Sequence, residues 1–230
     1  MISIITPVLN EEENVKPFLD NLRWLEGDFE LVLVDGGSRD RTLREVERHR
    51  DGFPARLKLL EAGRGRGIQM NRGAEVAGGD ILLFLHIDCF IQKDSLRLIE
   101  RAIRGEKVIG GGFRQAFLSP DPFLKLQSSI GNLRTGLTKT FYGDYGIFLR
   151  KDIFEKVGGF DDIPFLEDVE ICKKVKKHGK LIQINRSILT SSRRYLSKGR
   201  LRLTAAFTLA LLLNSAGFRP GFLIKYIADK

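Results

Sequence analysis

The chain is poor in cysteine, lacks the marks of a secretion signal, and carries no acid over most of its last quarter; each absence narrows what it can be. Cys89 and Cys172 are the only two cysteines in 230 residues, and they match no metal-ligand spacing. At most one disulfide can form, too few for a secreted disulfide scaffold, so a reducing cytoplasm is the expected compartment. The opening MISIITPVLNEEE has no basic region, long apolar run or small-residue cleavage site, and reads as a first strand rather than a signal peptide. The uncharged stretch 203–218 contains Asn214, Ser215 and Gly217. It is shorter than the roughly 20 residues a spanning helix needs. No internal repeat and no low-complexity linker divides the chain.

What is present in excess is positive charge, and it is concentrated. The formal net charge is +9, yet residues 171–228 hold 13 Lys or Arg and no Asp or Glu, so the body before them is net acidic. A partner drawn by charge therefore meets the carboxy-terminal quarter. Arg193, Arg194, Lys198, Arg200 and Arg202 precede the uncharged stretch, a pattern suited to reversible binding on an anionic membrane surface. Each basic residue there contributes on the order of 1 kcal/mol. A helix packed on the body explains the same apolar residues. Nucleic acid is not the expected partner: Tyr195 is the only aromatic among these basic residues, and bases need stacking rings as well as phosphate contacts.

The first 105 residues alternate strand and helix patterns. Ile2 to Thr6, Phe29 to Val34, Leu57 to Leu60 and Ile81 to Leu85 are apolar runs that read as strands. Val15, Phe18, Leu19, Leu22 and Leu25 follow helical spacing, with Asn10 and Glu13 resembling a capping box before them. Leu43 with Val46 marks a second helix, and Gln69 to Ala77 a third. Asp94 is placed to cap a helix with Leu96, Ile99 and Ile103 inside. Strands of continuous apolar character between amphipathic helices predict an α/β fold, a mostly parallel sheet covered on both faces. Beyond residue 110 the pattern loosens. Gly110-Gly111-Gly112 suggests a close backbone approach or a bulge, 122–137 a helix, Gly146 to Arg150 a strand, and Leu166 to Val175 a helix closed by Gly179. Residues 1–195 are expected to form one domain, and 196–230 a basic, apolar helical extension packed on that domain or on a membrane.

Ligands of such sheets bind beyond the carboxyl ends of the strands. Asn10, Asp35 and the segment His86-Ile87-Asp88 all follow strands and should gather on one edge. Asp35, followed by Gly36, Gly37 and Ser38, can accept from a base or ribose; an ordinary turn leading into the next helix is the plainer reading. Gly63-Arg64-Gly65-Arg66-Gly67 is neither a Walker loop nor G-x-G-x-x-G, but its arginines and flexible backbone suit phosphate oxygens. A solvated surface loop fits it equally. Asp88 can hold a divalent cation against a diphosphate, with His86 a second ligand, a hydrogen-bond donor or a satisfied core histidine; oxygen ligands suit magnesium, and histidine suits manganese better. Glu167-Asp168 opens a helix, where carboxylates complement the dipole. One of the pair can equally serve as a general base.

Taken in order, these segments resemble a known family. TPVLNEEENV is similar to the opening of the family 2 glycosyltransferases, VDGGSRDRT to their acidic turn, GRGRGIQMNRGAEVAGGDILLFLHID to the approach to their Asp-x-Asp motif, and LEDVE to their Glu-Asp motif. The wording of QMN and FLHID is nearest to the radical-SAM/selenodomain-associated transferases. The resemblance spans residues 2–195 and implies a GT-A fold with a UDP- or GDP-linked sugar across the carboxyl edge. It implies that Pro7, Asn10, Glu11, Asp35 and Gly37 line the nucleotide pocket with Arg66, Gln69 and Asn71. Asp88 would bind a divalent cation (manganese or magnesium), Asp168 would be the base beside Glu167, and Arg193 or Arg194 would offset charge on the diphosphate. His86 stands where the family has the first Asp of its motif. The expected activity is transfer to an acceptor hydroxyl, a lipid among the candidates, with inversion, by a cytoplasmic enzyme that is peripheral on the inner face of the membrane if the basic tail binds there. A sugar-phosphate nucleotidyltransferase is the nearest rival, but TPVLNEEE lacks the glycine-rich loop and lysine it would show. A non-catalytic nucleotide-sugar binder is the other alternative.

Overall fold

Two seven-residue strands, buried along their whole length, set the frame. β1 (Ile2–Val8) and β2 (Phe29–Asp35) run parallel, in register from Ile2 opposite Phe29 to Val8 opposite Asp35. Burial on both faces is why each reads as a nearly continuous apolar run. Glu30 is the exception inside β2. Its carboxylate accepts from Ser3 Oγ and the Gly78 N–H and pairs with Lys58 at 2.8 Å.

Between and after these strands come α1 (Glu12–Leu22), α2 (Thr42–Arg48), β3 (Arg56–Glu61), α3 (Arg66–Val76), β4 (Ile81–Phe84), β5 (Cys89–Phe90), α4 (Ser95–Ile103), β6 (Val108–Phe117) and α5 (Pro122–Thr138). The chain continues through β7 (Ile147–Arg150), α6 (Lys151–Lys156), α7 (Glu167–Val175), β8 (Lys180–Thr190), α8 (Arg193–Lys198) and α9 (Arg200–Ser215). This computed structural model describes residues 1–216 and Phe218. The remainder of the expected 196–230 extension lies outside the described residues.

One eight-stranded sheet orders these strands β3-β2-β1-β4-β7-β6-β8-β5. The β3-β2-β1-β4 half is parallel, β7 is antiparallel to both β4 and β6, β6 is parallel to β8, and β5 closes the edge antiparallel to β8. The mostly parallel α/β architecture expected from the sequence is the one observed. Alternate residues feed two cores. Ile4 and Leu33 join Phe18 of α1, Val46 of α2 and Leu96 of α4 on one face, whereas Ile5 and Val34 join Met70 of α3, Phe154 of α6 and Ile171 of α7 on the other. Cys89 belongs to the first core and Cys172 to the second; both are free. The sheet between them rules out the one disulfide that the sequence allowed.

Several local expectations are corrected. The Asn10–Glu13 capping box does not form: Asn10 is left-handed at φ 54°, its side chain accepts from the Arg39 N–H, and Glu11 is the residue that precedes α1. Asp94 precedes α4 without capping it, because its carboxylate is taken by Arg186. α7 ends at Val175, four residues before Gly179; that glycine is needed instead where a Cβ would press into the Lys107 carbonyl and Ile109. The triple glycine does mark a close approach. A Cβ on Gly111 would collide with the Ile182 carbonyl, and the β6–β8 register shifts on either side of Gly110 to Gly112. α9 lies against the body through Phe165 stacked on Phe207, with centroids 6.1 Å apart, and through Asn214 donating to Glu170.

Candidate active site

β1, β2 and β4 end on one edge, and there the expected residues meet. The Asp35 carboxylate accepts from the N–H groups of Gly37 at 2.8 Å and Ser38 at 2.9 Å and from the Ser38 hydroxyl, so it shapes its own turn. Gly37 is left-handed at φ 91°, and a Cβ there would meet no atom within 4 Å, so its outer side is open. The Asn10 N–H donates to Ser38 Oγ at 2.9 Å, and the Glu11 N–H donates to Thr42 Oγ1 at 2.7 Å. These bonds join the two strand ends into one rim. Pro7 sits inside β1 opposite Val34.

Gln69 lies beneath the rim, 3% exposed; its amide donates to the carbonyls of Val8 at 2.9 Å and Val34 at 2.7 Å. Asn71 is turned away. Its side chain donates to the Phe160 carbonyl and accepts from the Phe160 N–H, both at 2.9 Å, clamping α3 to the segment before α7.

Beyond β4 a carboxylate group forms that the sequence only half disclosed. Asp88 and Asp144 act on one another through their charges, and burial first, then Asp88, pushes the Asp144 carboxyl up to about 6. Arg194 and Arg134 act in the opposite direction. Thr190, at the end of β8, links the two segments that carry these carboxylates: it pairs with Cys89, the residue after Asp88, and its hydroxyl donates to the Asp144 carbonyl at 3.4 Å. Glu11 stands on the same side. Burial raises its carboxyl, and Arg193 lies 3.5 Å from it. The first two arginines of the basic tail thus reach the acidic edge, Arg193 at Glu11 and Arg194 at Asp144 and His86.

Asp168 occupies the centre. It follows the buried Glu167 at the start of α7, behind a left-handed Leu166 at φ 66°. Its carboxylate accepts from the Gly143 N–H at 2.8 Å and the Val169 N–H at 2.7 Å. Burial, and then the charge of Glu167, pushes the Asp168 carboxyl up to about 7 against those bonds and the pull of Arg66. The His86 ring packs so closely on Gly143 that a Cβ there would collide with it. Burial, Arg66 and Arg194 together hold His86 down to about 3, so the ring is neutral. His86 is therefore the neighbour of Gly143, whose N–H holds the Asp168 carboxylate.

The structure thus gathers Glu11, Arg66, His86, Asp88, Glu167, Asp168, Arg193 and Arg194 around one edge, with Asn10, Asp35 and Gly37 on its rim. Gln69 and Asn71 support it from behind. The sequence reading missed Asp144, Tyr142 and Arg134. The Arg134 guanidinium lies 4.0 Å above the Tyr142 ring, which burial pushes above its usual range. The signal for this turn was YGDYG itself, an acidic residue between glycines just before a strand.

Among known proteins, the Glycosyl transferase family 2 profile matches residues 3–158. The undecaprenyl-phosphate 4-deoxy-4-formamido-L-arabinose transferase of Pseudomonas paraeruginosa is 34% identical over 117 residues, covering 48% of this chain and 34% of its own. Glycosyltransferase AglE of Haloferax volcanii is 26% identical across 95% of this chain and 81% of its own. The fold is similar to that of a mannosyltransferase from Pyrobaculum calidifontis in complex with GDP-Man and Mn2+, with a TM-score of 0.74, 20% identity and coverage of 94% of this chain and 63% of that one. It is also similar to S. aureus TarS 1-349 in complex with UDP-GlcNAc, with a TM-score of 0.61, 20% identity and coverage of 83% and 58%. The chain thus spans about a third of the first curated relative and under two thirds of these solved chains.

Proposed function

The chain belongs to glycosyl transferase family 2, and from that membership we propose that it moves a sugar from a nucleotide-diphosphate donor to an acceptor hydroxyl, with inversion. The observation that carries the reading is Asp168, a carboxylate held near neutrality at the strand-end edge and aimed by two backbone N–H groups. A base with a pKa near the working pH combines adequate basicity with a deprotonated resting state. In the proposed step Asp168 takes the acceptor's proton as its oxygen bonds to the anomeric carbon. The bond from that carbon to the diphosphate breaks on the opposite face, and the nucleoside diphosphate leaves. Arg66, Arg193 and Arg194 would offset the charge that builds on it. The rim of Asn10, Glu11, Asp35 and Gly37 would face the nucleotide, with Pro7, Gln69 and Asn71 as supports.

The residues present fit a divalent cation. Burial first and the charge of Asp88 second raise the Asp144 carboxyl, and a cation beside these two carboxylates would offset both. Among the described residues, no three His, Cys, Asp or Glu side chains group as a metal cage. Asp88 would therefore hold the ion with Asp144 at hand and diphosphate oxygens completing the shell. When bound, manganese or magnesium would stabilise charge on the leaving group. His86, packed against Gly143, would stand as a neutral wall beside the base, in the form that can also ligate a metal.

The QMN and FLHID segments support a place among the radical-SAM/selenodomain-associated members. The lipid phosphate named for the Pseudomonas relative supports a lipid-linked acceptor. Both neighbours' donors, GDP-Man and UDP-GlcNAc, belong in the first screen, with and without manganese. Release of nucleoside diphosphate by the wild-type chain, lost by at least about a thousandfold in Asp168→Asn while calorimetric donor binding persists, is the expected result. Undiminished transfer by that variant would overturn the reading; release of pyrophosphate would instead mark a nucleotidyltransferase.

A further inference from the structure

α5 is amphipathic the wrong way round for a helix on a soluble body. Apart from the buried Leu124, the face it turns to the protein is polar: Ser128 donates to Gln115 at 2.8 Å, and Asn132 exchanges two 2.8 Å bonds with the Gln115 backbone. The opposite side carries Leu126, Ile130, Leu133 and Leu137, exposed by 59, 58, 66 and 77%. Their spacing of four, three and four residues draws one stripe about 16 Å long. A contiguous exposed apolar face of this kind marks a site of association, whereas scattered leucines would not.

The surroundings state the partner's charge. Between Pro122 and Thr138 the charged residues are Lys125 and Arg134 alone. The α8–α9 junction lies against the start of the same helix, where Arg200 pairs with Asp121 and sits 5.9 Å over the Phe123 ring, and Tyr195 of α8 packs on Phe117 at the end of β6 at 4.9 Å. That junction adds exposed Leu196 and Leu201, together with Lys198, Arg200 and Arg202, and has no acid of its own. A second copy meeting this face with the same face would set like charges against each other. Anionic lipid offers both an apolar layer for the stripe and the opposite charge for its flank.

We propose that the outer face of α5, flanked by the start of α9, docks on an anionic lipid surface. Gly131 on the same helix packs against Tyr145 and Arg134 covers Tyr142, so docking sets the 142–145 turn and its Asp144 just behind the bilayer surface. The inference deepens the reading of a lipid-linked acceptor and rests on it for purpose, but its test requires no catalysis.

The full chain is floated with vesicles of phosphatidylcholine alone and of phosphatidylcholine mixed with phosphatidylglycerol at low salt. Binding is expected on the mixed vesicles, weakened by salt and cut at least about tenfold in Leu133→Glu/Leu137→Glu, whose wild-type side chains are exposed and so tolerate replacement. Calorimetric donor binding by that variant stays at the wild-type value, which separates failure of docking from failure of the transferase reading. Ile130→Trp in a Trp24→Phe background should shift its emission to the blue only when mixed vesicles are added. Equal flotation of the wild type and the double glutamate variant would overturn the proposal. So would emission already blue without lipid, the sign of cover by the chain's own last residues, or a solution dimer abolished by the glutamates.

Discussion

If Asp168 is the base proposed above, it ties activity and stability to the same proton, and the two can be measured apart. Its carboxyl moves from 3.8 to about 7 on folding, so at intermediate pH the folded chain holds a proton that the unfolded chain has released. The group's contribution to stability is therefore full below 3.8 and lost as pH rises through 7. For a single group with these limits, the loss between pH 5 and 8 is about 2–3 kcal/mol, with Glu167 sharing part of the titration. Asp168→Asn removes that dependence. Asparagine offers one acceptor oxygen to the Gly143 and Val169 N–H groups, which costs about 1–3 kcal/mol, but the cost does not vary with pH. Urea unfolding of both proteins at each pH isolates the effect. The wild-type stability minus that of the variant should fall steadily from pH 5 to 8. A difference that stays level, or rises, would refute a buried, proton-holding Asp168 and with it the argument for a base tuned by burial.

Other perturbations read neighbouring parts of the site. Because His86 is held down to about 3, its ring resonances should not titrate between pH 5 and 8 in an NMR series, and a midpoint near 6.5 would contradict its placement. Gly143→Ala would drive a Cβ into the His86 ring, destabilise the chain by about 1–3 kcal/mol in thermal melts, and lower turnover more than donor binding. Asn71→Ala would remove both bonds to Phe160, and a melt should show a loss of about 1–3 kcal/mol with donor affinity little changed.

The parallel half of the sheet was legible because its strands are buried on both faces and leave an uninterrupted apolar signature. Helices α1, α3 and α4 were legible from spacing, with α3 starting three residues early because Gly65, at φ 144°, turns the chain into it. β6 and β8 were not read as strands. Their pairing is shifted around the triple glycine, and β8 alternates half-buried residues without a clean period. Of the site, the residues directly after strands could be found from local sequence. YGDYG marks a turn around Asp144, but its place in the site depends on β7 running antiparallel to β4, which brings the start of one strand to the end of another. The orientation of α5 could not be found in this way: its apolar residues have helical spacing, and helical spacing does not tell an inside from an outside.

Gln69 has a wider consequence than its two hydrogen bonds suggest. The Val8 carbonyl that it reaches also accepts the Gly36 N–H, so the ends of β1 and β2 are laced together by one side chain and one turn. That corner holds its shape without a ligand. A donor crossing it would lose little by ordering the backbone, and the entropy lost on binding would fall on the long side chains of Arg66, Arg193 and Arg194. Affinity of the proposed donor should thus be governed by how Arg66, Arg193 and Arg194 settle, and its selectivity by the hydrogen-bonded corner.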